Sequence, residues 1–154
     1  MRIILLDLDG VLLPLPSDSH FEPELKPSIN AVNNLNLMIQ ITNAQVVVTS
    51  HWRNGRTVEQ LTTLLRSWGV KWGVFGKTRD AKGEEDRGAL ISDWLANSRE
   101  VIDAFVVIDD ERTDLEQFAR QLVSPKPDVG LQFHDVQEAV RILVKWHEIS
   151  KNFG

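Results

Sequence analysis

The apolar positions of this chain fall into short continuous runs, separated by segments in which they recur every three or four residues. Ile3-Ile4-Leu5-Leu6, Val46-Val47-Val48 and Phe105-Val106-Val107-Ile108 are of the first kind. A run of that length with polar or glycine punctuation predicts a strand buried on both faces. Helical spacing joins Ile29, Val32, Leu35 and Met38 or Ile39, then Val58, Leu61, Leu64, Leu65 and Trp68. It recurs in Leu90, Ile91, Trp94 and Leu95, and again in Val136, Ala139, Val140, Leu143 and Val144. Pro27 suits the first helix start, Thr57 caps the second and Gly69 stops it, and Asp135 is expected to cap the last. A third strand is expected over 70–75, a further helix through Leu115 and Phe118, and a short extended piece over 121–123. Strand and helix alternate throughout, which predicts an α/β fold: a doubly wound, Rossmann-like parallel sheet with helices on both faces.

The polar positions that end two of the buried runs carry the candidate chemistry. The first run stops at Asp7 and Asp9, one residue apart, and turns on Gly10; the run at 105–108 stops at Asp109-Asp110. In open α/β sheets ligands bind at the carboxyl ends of the strands. Aspartates at such places also cap helices and shape turns. Four carboxylates brought together would repel one another, however, so two neighbouring strands with these endings predict a divalent-cation site.

Composition narrows the field. The chain has 154 residues, which suits one domain spanning 1–154, and no cysteine, which excludes thiolate catalysis and cysteine-ligated metal centres. Oxygen ligands remain. No apolar stretch is long enough to cross a bilayer and no signal-peptide pattern opens the chain, so a soluble cytoplasmic protein with no membrane partner is expected. The formal net charge of −5 does not suggest a global nucleic-acid binder. Charge is nevertheless uneven: Arg53, Arg56, Arg66, Lys71, Lys77, Arg79 and Lys82 face only Glu59 and Asp80 in their segment. Such a segment is either a solvated surface or a receiver for an anionic substrate. Residues 13–26, with Pro14, Pro16 and Pro23, read as an irregular excursion near the site, too short for a folded lid. Gly76-Lys77-Thr78 imitates the end of a phosphate-binding P-loop, but the glycine required five residues earlier is Lys71. His20, His134 and His147 have no ligand spacing, and Trp68, Trp94 and Trp146 fall at helical core positions.

Taken in order, DLDGVL at 7–12, VVVTSHWR at 46–53, Arg87 at the head of a helix and VVIDDE at 106–111 resemble the haloacid dehalogenase (HAD) superfamily of phosphotransferases. SHWR, RGALISDWL and VVIDDERTDL are similar to the small capless HAD domains found in, or related to, bacterial RNA-repair proteins. The resemblance runs from residue 3 to about residue 144 and implies a HAD-like domain with no substantial cap.

The resemblance also implies roles. Asp7 would be the nucleophile that becomes an aspartyl-phosphate, and Asp9 the general acid and then base. Mg2+ would be held by Asp7, the backbone carbonyl of Asp9, and Asp109 or Asp110. Thr49 would donate a hydroxyl to the phosphoryl group, with Ser50 as a second donor and Gly10 beside the substrate. Arg87 would be the phosphate-stabilising cation, with Lys82 and Lys77 as competitors. Arg53 would fork onto the substrate phosphate or form a surface ion pair. His51 is either a proton carrier or a hydrogen-bonded structural histidine, and Asp114 either holds metal-bound water or caps a helix. The implied activity is a magnesium-dependent phosphomonoester hydrolase. The favoured substrate is a terminal phosphate on RNA or DNA; a small metabolite or nucleotide is the enzymatic alternative, and a non-catalytic phosphate- or partner-binding module the other.

Overall fold

The structure is a computed structural model that describes residues 1–16 and 25–144. His20, Trp146 and His147 lie outside the described residues, as does the middle of the 13–26 excursion. Five strands form one sheet: β1 (Arg2–Leu6), β2 (Gln45–Val48), β3 (Val74–Lys77), β4 (Ala104–Ile108) and β5 (Leu122–Val123). They lie in the order β3-β2-β1-β4-β5, every pair parallel. Four helices connect or follow them: α1 (Ile29–Thr42), α2 (Val58–Ser67), α3 (Arg87–Asn97) and α4 (Phe133–Leu143).

Strand β1 is central, and its alternating side chains feed two cores. Ile4 and Leu6 join Leu35 and Met38 of α1, Leu61 and Leu65 of α2, and Val136 and Ala139 of α4 on one face. Ile3 and Leu5 join Ile91 of α3 with Leu115 and Phe118 on the other. The four apolar side chains of β1, Ile3 to Leu6, are completely buried, each contributing about 1.5–3 kcal/mol relative to exposure. A strand covered on both faces and both edges has no reason to alternate polar with apolar, hence the unbroken run. The doubly wound, Rossmann-like α/β architecture with helices on both faces is the one expected.

Three local expectations are corrected. Strand β3 begins at Val74, four residues later than the run at 70 suggests, because Val70 completes the stop of α2: its N–H bonds Leu65 O at 3.0 Å while Gly69 N–H bonds Arg66 O at 3.0 Å. The helix expected through Leu115 and Phe118 is only a single 3₁₀ turn over Glu116–Phe118. The preceding Asp114 has φ 66, a left-handed conformation that blocks helix continuation and leaves its side chain no capping role there. Finally, α4 is capped by Gln132, and Asp135 sits in its first turn, accepting from the Gln132 N–H at 2.8 Å.

The chain winds outward from β1 through β2 to β3, then returns across the sheet to β4 and β5. The strand order thus reverses at β1, and the crevice outside the carboxyl ends of β1, β2 and β4 is the topological switch point.

Candidate active site

The residues that follow β1, β2 and β4 are held at that crevice by the continuing ladder. Asp7 N–H bonds Ile108 O at 2.9 Å, Thr49 N–H bonds Leu6 O at 2.9 Å, and Asp109 N–H bonds Val123 O at 3.2 Å. A cleft of about 350 Å³ opens above them, lined by Asp7, Asp9, Leu15, Thr49, Ser50, His51, Arg53, Arg87, Asp110 and Glu111. Asp109 lies beneath its floor, 1% exposed.

Asp7, Asp109 and Asp110 each offer a carboxylate oxygen within 4.8 Å of the others. Gly10 permits this closeness. It adopts φ 77, and a Cβ built on it would stand 2.4 Å from Asp110 Oδ2, so any side chain there would displace Asp110. Asp109 accepts from Arg87 Nη1 at 2.5 Å through Oδ2, and from the Glu111 N–H at 2.9 Å through Oδ1. Burial, then the Asp109 charge, pushes the Asp7 carboxyl up to about 8, against the Leu8 N–H and Arg87, which favour its ionised form. The same two causes raise Asp110. Two raised carboxyls beside a third that Arg87 holds, in so small a space, form a donor set that a cation would stabilise. Oxygen-only ligands of this kind suit Mg2+, so the residues present fit that ion.

Arg87 reaches the cleft because Asp86 caps α3, accepting from Ala89 N–H at 2.8 Å, and so starts the helix at residue 87. Gly88 lets that helix end approach the loop after β4: a Cβ there would lie 2.4 Å from the Asp114 carbonyl oxygen. Arg87 Nη1 stands 3.9 Å from Asp7 Oδ2, and Nη2 bonds Glu111 Oε2 at 2.6 Å. Burial opposes the charge on Arg87, but the Asp109 hydrogen bond and the carboxylates around it raise its pKa overall. Its rivals lie elsewhere: Lys77 Nζ donates to Arg56 O, and neither Lys77 nor Lys82 lines the cleft.

Arg53 lines the cleft with its guanidinium already engaged by main-chain carbonyls. It is 5% exposed, and its guanidinium donates to Thr78 O at 2.8 Å, Thr49 O at 2.9 Å, Ser50 O at 3.0 Å and Arg79 O at 3.0 Å. It is neither an open fork nor a surface ion pair; it ties the loop after β2 to the loop after β3. The basic segment is similarly occupied at Arg79, which pairs with Glu85 and Asp93 and holds Glu85 down at about 2. Ser50 accepts the Trp52 N–H at 3.3 Å as cap of a 3₁₀ turn, His51–Arg53. His51 is exposed at the mouth, its Nε2 3.5 Å from Asp9 Oδ2.

The carboxylate of Asp9 stands apart from the acidic trio and accepts Trp52 Nε1–H at 2.8 Å. Glu111, which lines the cleft, and Trp52, which bonds Asp9 from beside it, are site residues that sequence reasoning missed. Nothing in a tryptophan beside a Thr-Ser pair announces a bond to a residue 43 positions away. Glu111 was legible only as the neighbour of an acidic pair.

The HAD domain of Swiss Army Knife RNA repair proteins matches residues 3–136 as a family, which takes in every residue of the cleft and all five strands but for Arg2 at the start of β1. The chain belongs to that family. No curated protein matches it. Membership in the HAD domains brings a hydrolase and phosphatase superfamily whose members generally use Mg2+, consistent with the acidic trio. No helix among the described residues is long and apolar enough to cross a membrane.

The raised Asp7 carboxyl gives this HAD domain an expected pH signature. A carboxyl with a folded pKa above its unfolded value of 3.8 contributes stability at low pH that is lost as pH rises towards about 8. Without metal, thermal stability should therefore decline across that window. With magnesium the decline should flatten, so the melting-temperature gain from the ion should grow with pH. A gain of zero at every pH would mean the trio does not bind it.

Proposed function

We propose that the chain is a magnesium-dependent phosphomonoesterase that works through an aspartyl-phosphate on Asp7, with terminal phosphates of RNA or DNA as its favoured substrates. The observation that carries this reading is the buried Asp7 at the switch point, within 4.8 Å of Asp109 and Asp110 oxygens and 3.9 Å from the Arg87 guanidinium. A phosphate dianion repels an anionic nucleophile, so a carboxylate attacks it only where positive charge is already in place. Magnesium held by Asp7, the Asp9 carbonyl, and Asp109 or Asp110 would supply that charge to the phosphate oxygens and to Asp7.

The protein residues supply the rest. Arg87 and the Thr49 hydroxyl hold the phosphoryl oxygens, with Ser50 and the Gly10 turn beside them. An Asp7 oxygen bonds to phosphorus, the bond to the leaving oxygen breaks, and the Asp9 proton passes to that oxygen. In the second half a water oxygen bonds to phosphorus, the Asp7–phosphorus link breaks, and a water proton returns to Asp9.

Phosphate release measured with magnesium across aryl phosphate, nucleotides, sugar phosphates and 3′- or 5′-phosphorylated oligonucleotides tests the reading. Selective turnover of one oligonucleotide end supports it. Preference for a small metabolite keeps the chemistry and discards the nucleic-acid substrate. No turnover, together with no beryllium fluoride adduct on Asp7, favours a binding module. Several basic side chains of the 53–82 segment are spent on internal bonds, so salt dependence is a useful discriminator. For a nucleic-acid end held by backbone contacts, kcat/KM should fall more steeply with salt than for aryl phosphate. Parallel slopes would point to a small substrate.

A further inference from the structure

The Trp52–Asp9 bond has a consequence for the chemistry. A carboxyl that must give a proton to a leaving oxygen has two oxygens and a rotatable bond, and only one orientation is productive. In this cleft Oδ1 of Asp9 accepts the Trp52 indole N–H at 2.8 Å, while Oδ2 lies towards His51 at the mouth. The indole is itself held. Its backbone N–H bonds Ser50 Oγ, Arg56 stands over its ring at 5.4 Å while donating to its carbonyl at 2.9 Å, and Trp68 meets it edge-on at 5.8 Å. Arg53 locks the turn beneath through the carbonyls of Thr49 and Ser50. Half-buried against the first core as well, the indole is fixed in place, with its N–H turned to Asp9.

We propose that Trp52 is a positioning residue for Asp9: its N–H occupies Oδ1, so the transferable proton rides on Oδ2, the oxygen facing the leaving group. This rests on the reading of Asp9 as acid and base. Removing the N–H lets the carboxyl rotate and protonate at either oxygen, which weakens protonation of the leaving group without touching the nucleophile. Esters with poor leaving groups need that proton; those with good leaving groups scarcely do.

The test compares kcat/KM, which reports events up to phosphoryl transfer to Asp7, for benzyl phosphate and dinitrophenyl phosphate. The variants are Trp52→Phe and Asp9→Asn, all with magnesium. Trp52→Phe should lose about 10- to 100-fold more on benzyl phosphate than on dinitrophenyl phosphate, and Asp9→Asn should show the same bias more strongly. Equal losses by Trp52→Phe on both esters, beside a biased Asp9→Asn, overturn the positioning role and leave the acid in place. An unbiased Asp9→Asn overturns the acid assignment and the positioning role with it. Should Trp52→Phe fold poorly, β-(3-benzothienyl)alanine at position 52 keeps the bicyclic shape without the N–H, and is read in the same way.

Discussion

Asp7→Asn is expected to lower turnover of every phosphate ester by about 10⁴-fold or more, and at the same time to raise the melting temperature of the metal-free protein. The two effects share one cause. The carboxylate that attacks phosphorus is also the group the fold tolerates least, since burial and the Asp109 charge push it up to about 8. An amide of the same shape can still accept the Leu8 N–H, but it carries no charge to desolvate and none to repel Asp109. Between pH 3.8 and about 8 the wild-type chain must take up a proton to fold without metal, and the variant need not. The stabilisation should therefore widen with pH across that window, and the magnesium-dependent gain should shrink. Phosphate release and thermal unfolding with a chelator check both halves. Wild-type-like turnover would remove Asp7 as nucleophile; a lower melting temperature would mean its carboxylate is needed to hold the fold.

Arg53→Ala should cost about 3–5 kcal/mol of folding stability, a large fraction of what a domain has. Four main-chain carbonyls, of Thr49, Ser50, Thr78 and Arg79, would lose the guanidinium together, although that of Ser50 keeps the N–H of residue 53. Arg53→Lys should recover little, because one ammonium cannot span carbonyls from two loops as the planar guanidinium does. Equilibrium denaturation measures the loss. A cost below about 1 kcal/mol with a raised KM would return Arg53 to direct contact with substrate.

These two residues also mark where the sequence was readable and where it was not. Asp7 was legible because the signal is local: a strand buried on every side leaves an unbroken apolar run, and the first carboxylate after it must emerge at the sheet edge. Asp109 follows by the same logic, whereas Arg87 rested on the resemblance, and the structure adds that Asp86 fixes the start of its helix. Arg53 lies in an equally suggestive string, SHWR, yet its partners Thr78 and Arg79 belong to another loop, and no spacing in the chain encodes that meeting. The same holds for Trp52 and Asp9. Strand β3 was placed early because Val70 is apolar for the sake of the helix stop, a use that periodicity does not separate from a strand. The helix after β4 was overread because its apolar pair, Leu115 and Phe118, needs only one turn to reach the second core.

The position of β1 at the centre of the sheet bears on how the chain reaches this state during synthesis. Its neighbours are β2, made soon afterwards, and β4, which belongs to the last third of the chain. The central strand is thus made before both of its neighbours, and one of its hydrogen-bonding edges stays unpaired until β4 has left the ribosome. An apolar strand waiting with an open edge is a template for pairing with other chains. Prematurely terminated products ending before β4 would carry that edge permanently and would lack Asp109 and Asp110 as well, so they should be both insoluble and catalytically silent.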